Sequence, residues 1–152
     1  MKASVGFAFF LLFLAGYALV TVRNMGEEAA NSVPTIADLS ASAWRPSHIG
    51  EMSLAADSNL YVQFEPGGEL GGYAGCNRFF GSYQLDGNTI KIKPLGLTRM
   101  ACPPPIMSFE ISFIEALQSA TTVARAKTRI ALRNDQGQTT VRFDAIDKQD
   151  TQ

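Results

Sequence analysis

The apolar residues of this chain change period once, and that single change limits the folds open to it. In "NLYVQFE", Leu60, Val62 and Phe64 alternate with Tyr61, Gln63 and Glu65, the two-residue repeat of a strand with one buried face. "PGGE" at 66–69 supplies turn residues. "RFFGSYQL" then puts Phe79, Tyr83 and Leu85 on a common side, although the adjacent Phe79 and Phe80 must point to opposite faces, so at most one enters a core. "DGN" at 86–88 marks a hairpin into "TIKIK", with Ile90 and Ile92 facing in and Lys91 and Lys93 facing out. In "PIMSFEISFIEALQSA" the period becomes helical. Ile106, Phe109, Phe113 and Leu117 form one stripe, widened by Ile114 and preceded by Pro103–Pro105, which the start of a helix tolerates. "TRIALRN", the turn "NDQGQ" and "TTVRFDA" return to strand, with Ile130, Leu132, Val141 and Phe143 facing in. Several strands, one amphipathic helix and two more strands describe an antiparallel α+β domain. It runs from Ala43 to Asp147, about 105 residues, which suffices for one core.

The amino end has a different composition. Lys2 precedes an uncharged, mostly apolar run from Ala3 to Val22, closed by Arg23. About twenty apolar residues span a bilayer as a helix, so residues 1–22 read as a signal anchor. A signal peptide is the alternative, with "GYA" at 16–18 as its cleavage site. Positive charge before the span, and Glu27 and Glu28 after Arg23, orient the rest of the chain outside the cytoplasm. Residues 23–42 read as a small, polar linker and 148–152 as a disordered tail. The expected location is the inner membrane, single-pass with the domain in the periplasm, or a secreted or periplasmic form after cleavage.

Composition excludes several functions. A formal charge of −1 leaves no basic footprint for nucleic acid. The one histidine, His48, cannot build a histidine metal site, and Cys76 and Cys102 are too far apart for a C-x-x-C redox pair. The sequence has no nucleophile elbow, phosphate loop or zinc helix, so no cofactor and no metal are expected. Cys76 beside Arg78 has the setting of a lowered thiol pKa. In an exported chain, however, two cysteines more simply pair, and closing that loop stabilises by roughly 3–4 kcal/mol in the chain-entropy model. Arg78 and Arg99 are either ordinary surface guanidiniums or, beside Asn77 and Thr98, a convergent pair for an anion or a partner's carboxylate.

"GYAGCNRFFGSY", then "LGLTRMACP", then "FEISFIEAL", with Trp44 ahead of them, resemble the META domain, as in the HslJ-like heat-shock proteins of bacterial envelopes. The matching positions are Gly75, Cys76, Asn77, Phe79, Gly81, Tyr83, Thr98, Met100 and Cys102. The resemblance implies a strongly bent antiparallel sheet with one packed helix, and no established enzymatic activity. It associates the chain with heat-shock response, novobiocin resistance and parasite virulence, and with a fold likened to a lipid-binding secretin pilot protein. Bacterial members often end their signal in an acylated cysteine. Here "LAGY" has Tyr17 at that place, so attachment through residues 3–22 themselves is expected instead.

These readings lead to a noncatalytic envelope domain, linked by resemblance to stress. It would bind an envelope protein partner or a small ligand through Asn77, Arg78, Thr98 and Arg99. The alternatives are a carrier holding a lipid or other hydrophobic ligand between sheet and helix, and an enzyme using Cys76 or His48.

Overall fold

The computed structural model describes residues 32–151. The run at 3–22 expected to span a membrane, and residues 23–31 of the expected linker, lie outside them. Among the described residues no helix is long and apolar enough to cross a membrane.

A short helix α1 (Ile36–Ser40) leads into β1 (Ala43–Ile49), β2 (Met52–Ser53), β3 (Tyr61–Phe64), β4 (Glu69–Tyr73), β5 (Arg78–Asp86), β6 (Thr89–Ile92) and β7 (Gly96–Leu97). Helix α2 (Pro104–Gln118) follows, then β8 (Thr122–Ala126), β9 (Arg129–Arg133), β10 (Thr139–Ile146) and a 3-10 turn at Lys148–Thr151. All pairings are antiparallel. Of the ten strands, β2 hangs from β1 and β7 from β5. The other eight run β1-β3-β4-β5-β6-β8-β9-β10, and β10 pairs back to β1. The sheet therefore closes into a barrel, which removes its free edges.

Closure is the main departure from the sequence expectation of a bent sheet with two strands after the helix. There are three, and the additional one, β8, completes the ring by pairing Thr89 with Thr122 of β6. In "TVARA" only Val123 is buried, and alanine is a weak strand former, so the segment carries little strand signal of its own. The expected boundaries move too. Helix α1 falls inside the stretch read as linker, and Leu39 is fully buried. The Trp44 indole N–H donates to the Leu39 carbonyl at 2.7 Å, which fastens α1 to the barrel. The expected tail is, over Lys148–Thr151, a turn tied down by a Gln63 amide bond to the Thr151 hydroxyl and by a Lys148–Glu65 ion pair.

The strand alternation holds elsewhere, except that Tyr61, expected on the outer face of β3, is also buried. Leu60, Val62, Phe64, Ile90, Ile92, Ile130, Leu132, Val141 and Phe143 are all buried. Of the phenylalanine pair, Phe79 is buried and Phe80 is 60% exposed. Helix α2 buries Glu110, Phe113, Ile114 and Leu117, a clean i, i+3, i+4, i+7 face. Ile106, expected at the head of that stripe, is 39% exposed because it lies in the first turn, beside Gly75 rather than over the barrel. Phe113 packs its ring against Phe79 of β5 and Phe143 of β10, at centroid distances of 6.2 and 6.5 Å. Those strands are four places apart in an eight-strand ring, on opposite walls, so Phe113 occupies the space between them.

Truncation of Phe113 to alanine removes the ring that joins both walls and is expected to cost about 3–5 kcal/mol in urea unfolding. Ile111→Ala, on the exposed side of the same helix, is expected to stay within about 0.5 kcal/mol. A second test concerns acid. Thr35 caps α1, and the hydrogen bonds its backbone and side chain make to Asp38 hold that carboxyl below its ordinary range, with Arg125 adding to the effect. A folded pKa below the unfolded one means the contribution is present at and above about pH 4 and is lost as pH falls through the folded value. Asp38→Asn should therefore flatten the acid limb of the stability–pH curve and leave its alkaline limb unchanged.

Candidate functional site

The segment from Ala74 to Arg78 turns the chain between β4 and β5. Gly75 has φ +104°, a conformation that glycine adopts without strain, and the Ala74 N–H bonds the Asn77 carbonyl at 2.9 Å to close the turn. Just before it, strand and ring come close together. A Cβ at Gly72 would collide with the Tyr61 carbonyl oxygen and the Phe79 ring. The glycines of "GGYAG" thus serve turning and close packing.

Cys76 and Cys102 form a disulfide with a Cα separation of 6.1 Å, and no cysteine is free. The bridge ties the β4–β5 turn to the approach to α2. With both sulfurs consumed, the nucleophilic thiolate weighed for Cys76 is absent in this state.

Asn77 is the centre of the site. It is buried, and its Oδ1 accepts from the Thr98 hydroxyl at 2.8 Å and from the Met100 N–H at 2.7 Å. Its Nδ2 donates to Glu110 Oε1 at 2.9 Å, and its backbone N–H donates to the other oxygen of that carboxylate. A further, longer contact runs from Nδ2 to the Met100 carbonyl at 3.4 Å. Both lone pairs and both amide protons are engaged within the protein, so Asn77 has no group left for a ligand. Glu110 is 5% exposed, and a carboxylate so placed is tolerable only when hydrogen-bonded. Sequence reasoning did not single it out. The signal available was a charged residue within the helix's apolar stripe, four positions after Ile106 and three before Phe113.

The remaining candidates lie around this clamp. Thr98 accepts from the Arg78 N–H at 3.1 Å while donating to Asn77, and its own N–H bonds the Arg78 carbonyl. The Arg78 guanidinium donates to the Tyr61 hydroxyl at 2.7 Å. Arg99 and Met100 are exposed on the loop the clamp holds. The four expected binding residues therefore fall in one neighbourhood with different roles. Asn77 and Thr98 build it, while Arg78 and Arg99 face outward from it. His48 lies elsewhere, on β1. No group of three metal-ligating side chains occurs among the described residues.

The clamp should be measurable as stability. Asn77→Ala leaves a buried carboxylate short of a donor and is expected to cost about 3 kcal/mol. Asn77→Asp should be at least as damaging, because it sets a second carboxylate against Glu110. Replacing both cysteines by serine should lower the unfolding free energy by roughly 3–4 kcal/mol. Urea titrations of the oxidised protein and the variants check all three.

Comparison with known proteins agrees with this fold. A solved structure of a protein from Burkholderia xenovorans is 26% identical, with a TM-score of 0.60, covering 77% of this chain and 90% of that one. A second solved protein, 22% identical, superposes with a TM-score of 0.59 over 74% of this chain and 95% of that one. A DUF4847 family protein from Bacteroides vulgatus, 16% identical, shares the fold with a TM-score of 0.57, over 75% of this chain and 99% of that one. No curated protein matches. The model of the META domain matches residues 37–147, a stretch that begins within α1 and ends just after β10. The chain belongs to the META domain family.

Proposed function

We propose that the domain is a noncatalytic binding module that works outside the cytoplasm and takes a protein partner on the face carrying Arg78, Phe80, Arg99 and Met100. The observation that carries this reading is the rigid display of an exposed apolar side chain. Met100 is 63% exposed, yet its backbone N–H is fixed to Asn77 Oδ1 and its neighbour Cys102 is bridged to Cys76. A surface held still before contact loses less conformational entropy on binding, and methionine adapts to varied partners. Phe80 and Arg78 share the outward side of β5, and Gly96 of β7 lies beneath the Phe80 ring, so the loop after β7 continues the same patch. The disulfide favours an oxidising compartment. A membrane anchor at residues 3–22 would hold the module at the inner membrane's outer face. Phe113, between the barrel walls, supports a surface ligand over a hydrophobic one carried inside.

A photo-crosslinking amino acid at position 100 of the full chain, expressed in intact cells, tests this. A discrete adduct from position 100, weakened by Arg78→Ala/Arg99→Ala and absent from position 91 on β6, is the expected result. Absence of any adduct from positions 80, 99 and 100 would overturn the reading.

A further inference from the structure

A cluster of arginines lies on another face. A groove of about 530 Å³ runs over β1, β8, β9 and β10, lined among others by His48, Arg125, Arg129, Arg133, Arg142 and Asp144. Strand register explains it. On β9, Arg129, Ala131 and Arg133 share the face opposite to buried Ile130 and Leu132. Ala131 pairs with Arg142 of β10 on one side and with Ala124 of β8 on the other. His48 of β1 pairs with Arg142. Arg129 and Arg133 thus stand on either side of Ala131, about 13 Å apart at their backbones, with Arg142 beside it on the next strand. The alanines 124, 126 and 131 give a low apolar floor, and the arginines rise around it.

Arg129, Arg133 and Arg142 against the one carboxylate of Asp144 give this face a net charge of +2, in a chain whose total is −1, while Arg125 alternates onto the other face of β8 with buried Val123 and pairs with buried Ile130. Among the described residues Arg125 has an acidic partner, Asp38 at 3.4 Å, while Arg129, Arg133 and Arg142 are in no ion pair. One polar atom of this face, His48 Nδ1, is buried and without a hydrogen-bond partner among those residues. Ordinary solvated arginines on a convex strand surface would not need a concave floor or leave a buried imidazole nitrogen beside them unmatched.

We propose that this groove is an anion site that takes a phosphate-bearing ligand. Several guanidiniums around one small floor suit a group with more than one negative charge and oxygens on several sides, since a single carboxylate occupies one fork. The groove is larger than a lone phosphate, so the uncharged part of the ligand rests on the alanines. The site does not depend on the proposed protein-binding face, which lies on β5 and β7, away from these strands in the ring.

The test uses the full chain in neutral maltoside micelles, titrated with inorganic phosphate and with diphosphate, and separately doped with phosphatidylglycerol or phosphatidylcholine. Calorimetry gives affinity, and backbone amide shifts give location. The expected result is saturable binding with shifts at Ala124, Ala131 and Arg142. Arg129→Gln/Arg142→Gln should weaken it about tenfold or more, by loss of charge-assisted hydrogen bonds. Lys91→Gln/Lys93→Gln, which removes equal charge from β6 and its end, should leave it unchanged. Response to diphosphate identifies a soluble ligand, and response to phosphatidylglycerol alone identifies a lipid headgroup. Either supports the site. The proposal fails if no probe shifts the groove amides of the wild-type chain, or if both double variants weaken binding equally.

Discussion

The position of α2 depends on one buried carboxylate. Glu110 sits within the helix's apolar face, where an ionised group without donors would be strongly destabilising. It receives two donors from a single residue, the backbone N–H and side-chain amide of Asn77. Those donors point the right way only because the β4–β5 turn is closed at Gly75 and tied by the disulfide. The pairing fixes the helix both along its axis and about it. Phe113, three residues on, is then carried between Phe79 and Phe143. A purely apolar contact would allow the helix to slide by a fraction of a turn. A carboxylate with two defined donors does not, which is the use of a buried polar pair for specificity.

Closure of the sheet has a parallel consequence. An eight-strand barrel is just wide enough for its side chains to fill, and here one helix contributes part of the filling. Phe113 and Leu117 of that helix are fully buried. The outer surface offers two different settings. The loop after β7 presents an apolar side chain on a rigid support, and the β8–β10 face presents guanidiniums over alanines.

Much of this was legible in the sequence, for reasons that can be named. Strands with one buried face announce themselves by alternation, so β3, β5, β6, β9 and β10 could be placed with their inward residues. The cysteine pair followed from count and compartment. What escaped was local sequence with weak intrinsic preference. The β8 segment has one buried valine among alanines and threonines, and its strand state comes from its neighbours β9 and β6. The roles of the motif residues escaped too. Asn77 and Thr98 were read as binding residues beside the convergent Arg78 and Arg99. Their partner, Glu110, lies 33 residues away along the chain from Asn77, and nothing local announces that contact.

The arginine groove shows how core register and surface chemistry are one constraint. Alternation that buries Ile130, Leu132, Val141 and Phe143 puts Arg129, Ala131, Arg133 and Arg142 outside on the same strands. The exception is β1, where regular pairing from Pro46 and Phe143 would set Ser47 opposite Arg142. A bulge between Pro46 and His48 takes up one residue, so His48 meets Arg142 and Ile49 meets Val141. The bulge therefore does two things at once. It returns Ile49 to the core side, where it packs against the cluster, and it turns the only histidine toward the arginines. Re-aiming a side chain is what bulges do wherever a strand must serve both a core and a surface site. A strand without the inserted residue would keep the barrel's pairing but present a hydroxyl, rather than an imidazole, to that face.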